Sequence, residues 1–162
     1  MSDDHLYRRG VGVMLLNFEG LVWVGKRIDY RAEAWQMPQG GIDKGEAPWE
    51  TALRELEEET GIPPHLVERI AECPERLRYD LPETLRSKLW KGTWKGQLQD
   101  WFLCRFLGDD RDVNIRTKHP EFNDWKWVAP ELLPELIVPF KQEMYRDLLR
   151  HFGGHLASSS RA

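Results

Sequence analysis

Apolar residues recur along the chain with two spacings, and the shorter spacing predicts strands. Residues 11–17 alternate and are rich in apolar and β-branched side chains, residues 17–20 are typical of a turn, and residues 21–25 form a second apolar run. Together these segments predict a β-hairpin. Further strands are predicted over residues 66–79, 98–106 and 125–128, of which 98–106 alternates best and should be central.

The longer spacing predicts two helices. Pro48 stands where a first helical turn would begin, and Gly61 stands where a left-handed residue commonly ends a helix. Between them, the positions expected to face the core are Trp49, Ala52, Leu53 and Leu56. The second helix is predicted over residues 140–152, where Phe140, Met144, Leu148 and Phe152 are spaced four apart.

Two longer segments should be loops. Residues 31–45 contain Pro38 and three glycines, and residues 80–96 read as a long exposed loop, which in a compact domain is usually a functional one. The tail, about residues 155–162, is expected to be disordered. With no internal repeat or linker, the order of elements predicts one domain over residues 1–162, an α+β or α/β sandwich of helices on a mixed sheet.

Composition restricts the class of function. The chain has 162 residues with a formal net charge of −4, so broad coating of long DNA or RNA, which requires a basic face, is not expected. A small polyanion in a local basic pocket, or the end of an RNA chain, stays compatible with that charge. No signal-type or membrane-spanning apolar run is present, and Cys73 and Cys104 lie far apart, so a reducing, cytoplasmic location without a membrane partner is expected.

The most informative stretch is a cluster of glutamates on the first predicted helix. Glu55, Glu58 and Glu59 stand at i, i+3 and i+4, so their carboxylates share one face, near the helix end that disfavours anions. Oxygen ligands without histidine or cysteine suit hard cations, which favours Mg²⁺ with Mn²⁺ as a substitute. The alternative is a solvated acidic face paired with Arg54 and surface lysines.

The surrounding residues complete a known pattern. Gly40, five residues, Glu46, seven residues and then the segment from Arg54 to Ile62, with Gly61 in place, resemble the whole Nudix box. The resemblance implies a Nudix α/β/α sandwich, a mixed β-sheet flanked by helices. It also implies a loop-helix-loop that binds divalent metal and directs water onto a diphosphate linkage.

Segments outside the box resemble one Nudix subgroup. It contains bacterial RNA pyrophosphohydrolases and plant-type diadenosine tetraphosphate hydrolases, and the likeness runs from about Tyr7 to Phe152. The tryptophan-glycine segment over residues 89–97 leans toward the plant-type branch. The substrate is therefore expected to be a nucleotide polyphosphate, with the 5′ end of RNA as one version and a dinucleoside tetraphosphate as the other.

The resemblance also assigns roles to residues. The predicted metal ligands are Glu55, Glu58, Glu59, Glu121 and the backbone carbonyl of Gly40, and the predicted catalytic residues are Arg54, Glu55, Glu58, Glu59 and Glu121. One of Glu58, Glu59 and Glu121 must take the proton of the attacking water. By its spacing alone, Glu121 is as readily an ordinary surface residue.

Substrate contacts are assigned in the same way. Arg8 would bind phosphate, because a guanidinium matches phosphate oxygens, and Tyr79 and Phe140 would sandwich or stack a nucleobase. The bland alternatives are a solvated arginine and plain core packing. Further predicted polyphosphate contacts are Gln39, Gln97, Lys88, Lys91, Lys95 and Lys141. A non-catalytic nucleotide sensor is the alternative function, which the complete box disfavours.

Overall fold

The computed structural model describes residues 3–29 and 33–159. Its strands are β1 Tyr7–Leu16, β2 Val22–Arg27, β3 Trp35–Gln36, β4 Gln39–Gly41, β5 Val67–Glu72, β6 Leu77–Asp80, β7 Gly96–Phe106 and β8 Phe122–Val128. Its α-helices are α1 Pro48–Thr60, α2 Glu83–Arg86, α3 Leu133–Leu136 and α4 Gln142–Ser159. Short 3-10 turns join several of these elements.

The strands form one mixed sheet. Its central pair is β1 and β7, which run parallel from Tyr7 opposite Gly96 to Leu16 opposite Arg105. The strands are ordered β3-β2-β1-β7-β5, and in addition β4 pairs with β1, β6 with β7 and β8 with β2. Apart from β1 with β7, these pairs are antiparallel. The predicted mixed sheet flanked by helices is confirmed.

Alternation along the two central strands divides the core into two layers. Val13 of β1 and Phe102 of β7 pack on the α1 side of the sheet. Met14 and Trp101 point to the other side, where they join Leu148 of α4. Because side chains of a strand alternate between faces, two strands buried on both faces produce an α/β/α sandwich.

The first helix begins and ends as the sequence predicts. Pro48 opens α1, and the Glu50 carboxylate accepts a hydrogen bond from Ala47 N at 3.2 Å. Gly61 ends it with φ of 77°, and its N–H bonds to the carbonyl of Glu57. Ala52 and Leu56 are buried against the sheet, while Trp49 packs edge-on against Phe102.

Several local predictions need correction. The hairpin pairs only at Leu16 and Val22, because β2 then turns away to pair with β8. The predicted loops contain the short strands β3 and β4 and the helix α2. The expected disordered tail is helical as far as Ser159, where α4 ends, and residues 160–162 lie outside the described part of the chain.

Two further absences concern the described residues. No helix within 3–29 and 33–159 combines the length and apolarity that a membrane crossing requires. Cys73 and Cys104 are both buried and neither forms a disulfide.

Candidate functional site

A cavity of about 470 Å³ opens where β4 joins β1. Nine of the predicted site residues line it: Arg8, Gln39, Gly40, Glu55, Tyr79, Gln97, Glu121, Phe140 and Lys141. The other lining residues are Arg27, Asp29, Ala34, Gln36, Gly41, Leu81, Leu85, Leu89, Trp90, Ile137 and Val138. Residues far apart in the chain thus meet in one place.

Arg54 is the hydrogen-bonding centre of the acidic helix. Its guanidinium makes two bonds to Glu46, from Nε at 2.7 Å and from Nη2 at 2.8 Å, and it donates to Glu55 at 3.0 Å and Glu58 at 3.1 Å. A further bond reaches the carbonyl of Gly41 at 3.2 Å. Arg54 therefore ties the glycine loop to the helix and offsets the repulsion between its carboxylates.

Glu46 is held as the anionic partner of this arginine. Its carboxylate also accepts a bond from Thr51 Oγ1 at 2.7 Å. The hydrogen bonds from Arg54 and Thr51 lower the pKa of Glu46 to about 2. The spacing that places Glu46 eight residues before Arg54 thus orients the arginine through a two-pronged ion pair.

Glu55 lines the cavity and lies against the backbone of Gly40. A Cβ added at Gly40 would lie 2.1 Å from Cδ of Glu55, so only glycine allows this approach. Burial raises the pKa of Glu55 to about 7, although Arg54 acts in the opposite direction, and the Glu58 carboxylate adds to the rise.

Glu59 is the most unusual group of the site. It is 2% exposed, and within the described residues neither carboxylate oxygen has a hydrogen-bond partner. Burial raises the pKa of Glu59 well above its usual range, and the nearby carboxylates of Glu55 and Glu121 add to this effect. A buried carboxyl with two unsatisfied oxygens is costly unless a cation completes it.

Glu121 approaches the same cavity from the opposite side, immediately before β8. Its carboxylate lies 3.6 Å from Arg27 and is 46% exposed, and its backbone carbonyl accepts a bond from Ile28 N at 3.0 Å. Arg27 in turn pairs with Asp29 at 2.7 Å, and their hydrogen bonds lower the pKa of Asp29. Pairing of β2 with β8 brings these distant residues together.

The donor set suits a hard cation. Side chains within residues 3–29 and 33–159 form no ready-made group of three or more acidic, histidine or cysteine ligands. The unsatisfied oxygens of Glu59 nevertheless lie near the carboxylate of Glu55, which in turn contacts Gly40. Oxygen atoms alone are the ligands that Mg²⁺ and Mn²⁺ prefer. Two predicted ligands lie outside the cavity lining: Glu58 is 58% exposed, and Glu59 is buried.

Two aromatic rings and a buried lysine also line the cavity. Tyr79 and Phe140 lie with ring centroids 5.8 Å apart at 46°. Nζ of Lys141 lies 4.7 Å from the Tyr79 ring centre and 3.4 Å from Oε1 of Gln36. Lys141 is 7% exposed, and burial lowers its pKa to about 7. The rings contact each other, so no base fits between them in this arrangement.

Arg8 also lines the cavity. A Cβ added at Gly41 would lie 2.4 Å from Cζ of Arg8, and the guanidinium stands 5.4 Å from the ring centre of Trp90. Trp90 has a left-handed backbone, with φ of 50°. A cation that lines the same cavity as Glu55 and Phe140 suits a phosphate chain.

The three loop lysines are not brought into the cavity. Lys88 and Lys91 are exposed, and Lys95 lies with Nζ 5.8 Å from the ring centre of Tyr7. Apolar and aromatic neighbours in the same segment, Leu85, Leu89 and Trp90, line the cavity instead. A role for these lysines in binding stays a prediction about a surface near the site.

Sequence reasoning missed several lining residues. Arg27, Asp29 and Gln36 carry charge or an amide into the cavity, yet they stand in or beside strands that pair with partners distant in sequence. The local signal for them is weak. Only the position of Arg27 at the end of a predicted strand, before a polar segment, could have indicated it.

Comparison with known proteins identifies the family. The NUDIX domain family matches residues 6–148. An RNA pyrophosphohydrolase of Erythrobacter litoralis is 55% identical over 152 residues, which cover 93% of each chain. An RNA pyrophosphohydrolase of Zymomonas mobilis is 51% identical over 154 residues, which cover 95% of this chain and 99% of the relative.

Solved structures agree in fold. An Ap4A hydrolase of C. elegans has a TM-score of 0.69 at 24% identity and covers 93% of this chain and 98% of its own. The E. coli dihydroneopterin triphosphate pyrophosphohydrolase has the same TM-score at 18% identity, with 88% and 96% covered. The predicted fold class and pyrophosphohydrolase activity are confirmed, and nothing supports the sensor alternative. The complete box, the cavity beside it and these likenesses lead to one conclusion: the chain belongs to the Nudix family.

Proposed function

We propose that this Nudix hydrolase removes pyrophosphate from the 5′-triphosphate end of RNA in the cytoplasm, with dinucleoside tetraphosphates as a second substrate class. One observation carries the proposal. Glu55, Gly40, Arg8 and Phe140 line one cavity, so carboxylate and carbonyl oxygens for a metal, a cation for phosphates and a ring for a nucleobase share one space. The names of the relatives at 51–55% identity favour RNA over the dinucleotide.

The metal would be Mg²⁺, with Mn²⁺ as a substitute. Glu55, Glu59, Glu121 and the carbonyl of Gly40 fit as ligands, and Glu58 would join them by releasing its bond to Arg54. Bound there, the ion would neutralise phosphate oxygens and lower the pKa of a coordinated water. The oxygen-only donor set and the unsatisfied carboxylate of Glu59 support this assignment.

Residues of the protein itself supply the remaining chemistry. Arg54 holds the carboxylates of Glu55 and Glu58 in place while its own orientation is fixed by Glu46. One of Glu58, Glu59 and Glu121 accepts the proton of the water that attacks phosphorus in line with the leaving oxygen. Arg8 binds the phosphate oxygens that carry the growing charge.

The first nucleobase would stack on Phe140. Tyr79 is 6% exposed and packs directly against Phe140, so it supports that ring while Phe140, only half-buried, offers its free face to a ligand. Stacking of a base on one aromatic ring contributes about 1–3 kcal/mol and tolerates any base. A clamp of this kind binds the end of an RNA regardless of its sequence.

The test compares two substrates under one condition. We would measure kcat/KM with Mg²⁺ for a short 5′-triphosphorylated RNA and for diadenosine tetraphosphate. Glu58→Gln is the blank, and Glu57→Gln, an exposed neighbour on the same helix, is the matched control. We expect higher kcat/KM for RNA, wild-type rates in the control and a loss of roughly 100-fold or more in the blank, because Glu58 is a proposed metal ligand and a candidate for the catalytic base.

Each other outcome has a defined meaning. A preference for the dinucleotide would reassign the main substrate and leave the chemistry unchanged. Wild-type turnover in Glu58→Gln would contradict the role of that carboxylate. Hydrolysis of neither substrate by a folded protein would overturn the proposed function.

A further inference from the structure

A buried tryptophan fixes the orientation of a buried glutamine behind the cavity. Trp101 and Gln99 lie on β7 and are both fully buried, and Trp101 Nε1 donates to Gln99 Oε1 at 2.9 Å. An indole N–H can only donate. The Gln99 carboxamide must therefore turn its oxygen toward Trp101 and its NH₂ group the other way.

That NH₂ group is shared between two residues of the cavity wall. Gln99 Nε2 donates to Gln39 Oε1 and to Gln97 Oε1, each at 2.7 Å. Because an NH₂ group offers only hydrogens, both neighbours must present their oxygens to Gln99. Their own NH₂ groups then lie on the side away from Gln99. Gln39 and Gln97 line the cavity, whereas Gln99 does not.

Two glycines of strand β1 leave room for the hydrogen-bonded side chains of β7. Gly10 and Gly12 stand opposite Gln99 and Trp101 in the parallel register. A Cβ at Gly10 would lie 2.5 Å from Gln97 Oε1, and a Cβ at Gly12 would lie 2.4 Å from the Trp101 ring. Any other residue would displace Gln97, if it stood at position 10, or Trp101, if it stood at position 12.

The same register places a cation beside the amides. Arg8 stands directly opposite Gln97, and both residues line the cavity. Arg8 is a donor without acceptor capacity, and so are the two NH₂ groups once their oxygens are engaged. Three neighbouring groups that can only donate suit a ligand that carries only acceptors, such as a polyphosphate.

We propose that Gln99 is a positioning residue for the polyphosphate. Held by Trp101, it prevents the carboxamides of Gln39 and Gln97 from rotating, so that donors rather than acceptors face the phosphate oxygens. The inference rests on the proposed function for the identity of the anion. Gln99 itself touches no substrate.

The decisive variant is Gln99→Glu. A carboxylate still accepts the hydrogen bond of Trp101, so the fold keeps that contact, but it has no hydrogen to donate. The NH₂ groups of Gln39 and Gln97 would then turn inward and their oxygens would face the cavity. Gln99→Met separates this effect from the added charge. Gln142→Glu, on α4 outside the cavity lining, adds the same charge and also loses an amide hydrogen bond, to the carbonyl of Pro134 at 2.9 Å, so it controls for both changes away from the cavity.

Binding is measured with inorganic tripolyphosphate and Mg²⁺ by calorimetry, which requires no turnover. With two hydrogen bonds lost, we expect Kd to rise about tenfold or more in both Gln99 variants and to stay unchanged in Gln142→Glu. For the substrate that the wild type hydrolyses, KM should rise by a similar factor while kcat stays within about threefold. A merely structural effect would lower the melting temperature without this split.

A second readout reports on the amides directly. The side-chain NH₂ resonances of Gln39 and Gln97, assigned with Gln39→Met and Gln97→Met, should shift on addition of tripolyphosphate in the wild type and not in Gln99→Glu. Binding by folded Gln99→Glu within twofold of wild type would overturn the inference. Tight tripolyphosphate binding without RNA hydrolysis would overturn only the proposed function, so the two failures are distinguishable.

Discussion

Replacing Glu59 by methionine should stabilise the metal-free protein and abolish hydrolysis. The side chain is 2% exposed and both of its oxygens are unsatisfied within the described residues. A buried polar group without a partner costs about 1–3 kcal/mol in protein mutational data. Methionine removes that cost, fills a similar volume and adapts to irregular space. It also removes repulsion from Glu55 and Glu121, which contributes to the raised pKa of Glu59.

The magnitude follows from the size of the chain. For a domain of this length, about 1 kcal/mol moves Tm by roughly 2–4 °C. A gain of about 2 kcal/mol in the free energy of unfolding should therefore raise Tm by roughly 4–8 °C. Glu59→Gln keeps the shape and loses the charge, yet its amide stays without a partner, so its Tm should lie between those of wild type and Glu59→Met.

The assay is thermal unfolding with EDTA, repeated with increasing Mg²⁺. The wild type should gain Tm with each addition, because a ligand that binds only the folded state stabilises it. Glu59→Met should gain little, so the two curves should converge as Mg²⁺ increases. A lower Tm for Glu59→Met than for wild type in EDTA would refute the reasoning, since it would mean that the carboxylate is satisfied in the free protein.

Two further predictions use the geometry of the cavity. Gly40→Ala should lower kcat at least tenfold, because its Cβ would displace the Glu55 carboxylate, whereas Gly153→Ala on α4, with no atom within 4 Å of an added Cβ, should keep wild-type kcat. Equal rates in the two variants would contradict the required contact. Lys141→Met should remove a pH dependence of stability. With a folded pKa of about 7, below the usual 10.5, Lys141 is neutral in the fold while the unfolded chain is protonated, so wild-type stability rises with pH between these values. Relative to the variant, wild-type stability measured in urea should increase by about 1 kcal/mol per pH unit from 7.5 to 9.5. A difference independent of pH would show that the lysine keeps its proton.

Local signals in the sequence were sufficient for the acidic helix. Pro48 and Gly61 fix its ends through backbone geometry that depends on one residue each. The spacing of Glu55, Glu58 and Glu59 follows from the helical repeat, and the link from Glu46 to Arg54 spans only eight residues. Contacts between residues so close in sequence can be predicted from the local pattern.

Pairing between distant strands could not be predicted in this way. The turn after Leu16 suggested a hairpin, but β2 gains more contact by pairing with β8, which also carries Glu121 toward Arg27. The periodicity of residues 98–106 indicated a strand without indicating its parallel partner. Gln99 was overlooked because a glutamine in an alternating run looks like an exposed position, and only the partners across the sheet show that it is buried.

The loop before β7 shows a further limit. Its lysines were predicted to contact the polyphosphate because that ligand is an anion, yet Leu89 and Trp90 are the residues that line the cavity. The charge of a segment indicates which ligands it can attract, but its backbone conformation determines which side chains point into the cavity. The left-handed backbone at Trp90 contributes to this orientation, and no pattern of hydrophobic residues predicts it.

The parallel pair at the centre of the sheet has a consequence for biosynthesis. Strand β1 is buried on both faces from Gly10 to Leu16, but its neighbour β7 ends only at Phe106. On the ribosome, this apolar segment emerges long before its partner, and the layer of α4 that covers one face emerges later still. Such non-local closure is slow and leaves apolar surface open to aggregation meanwhile. During synthesis, the nascent chain must therefore keep its most hydrophobic strand from other chains until α4 has been made.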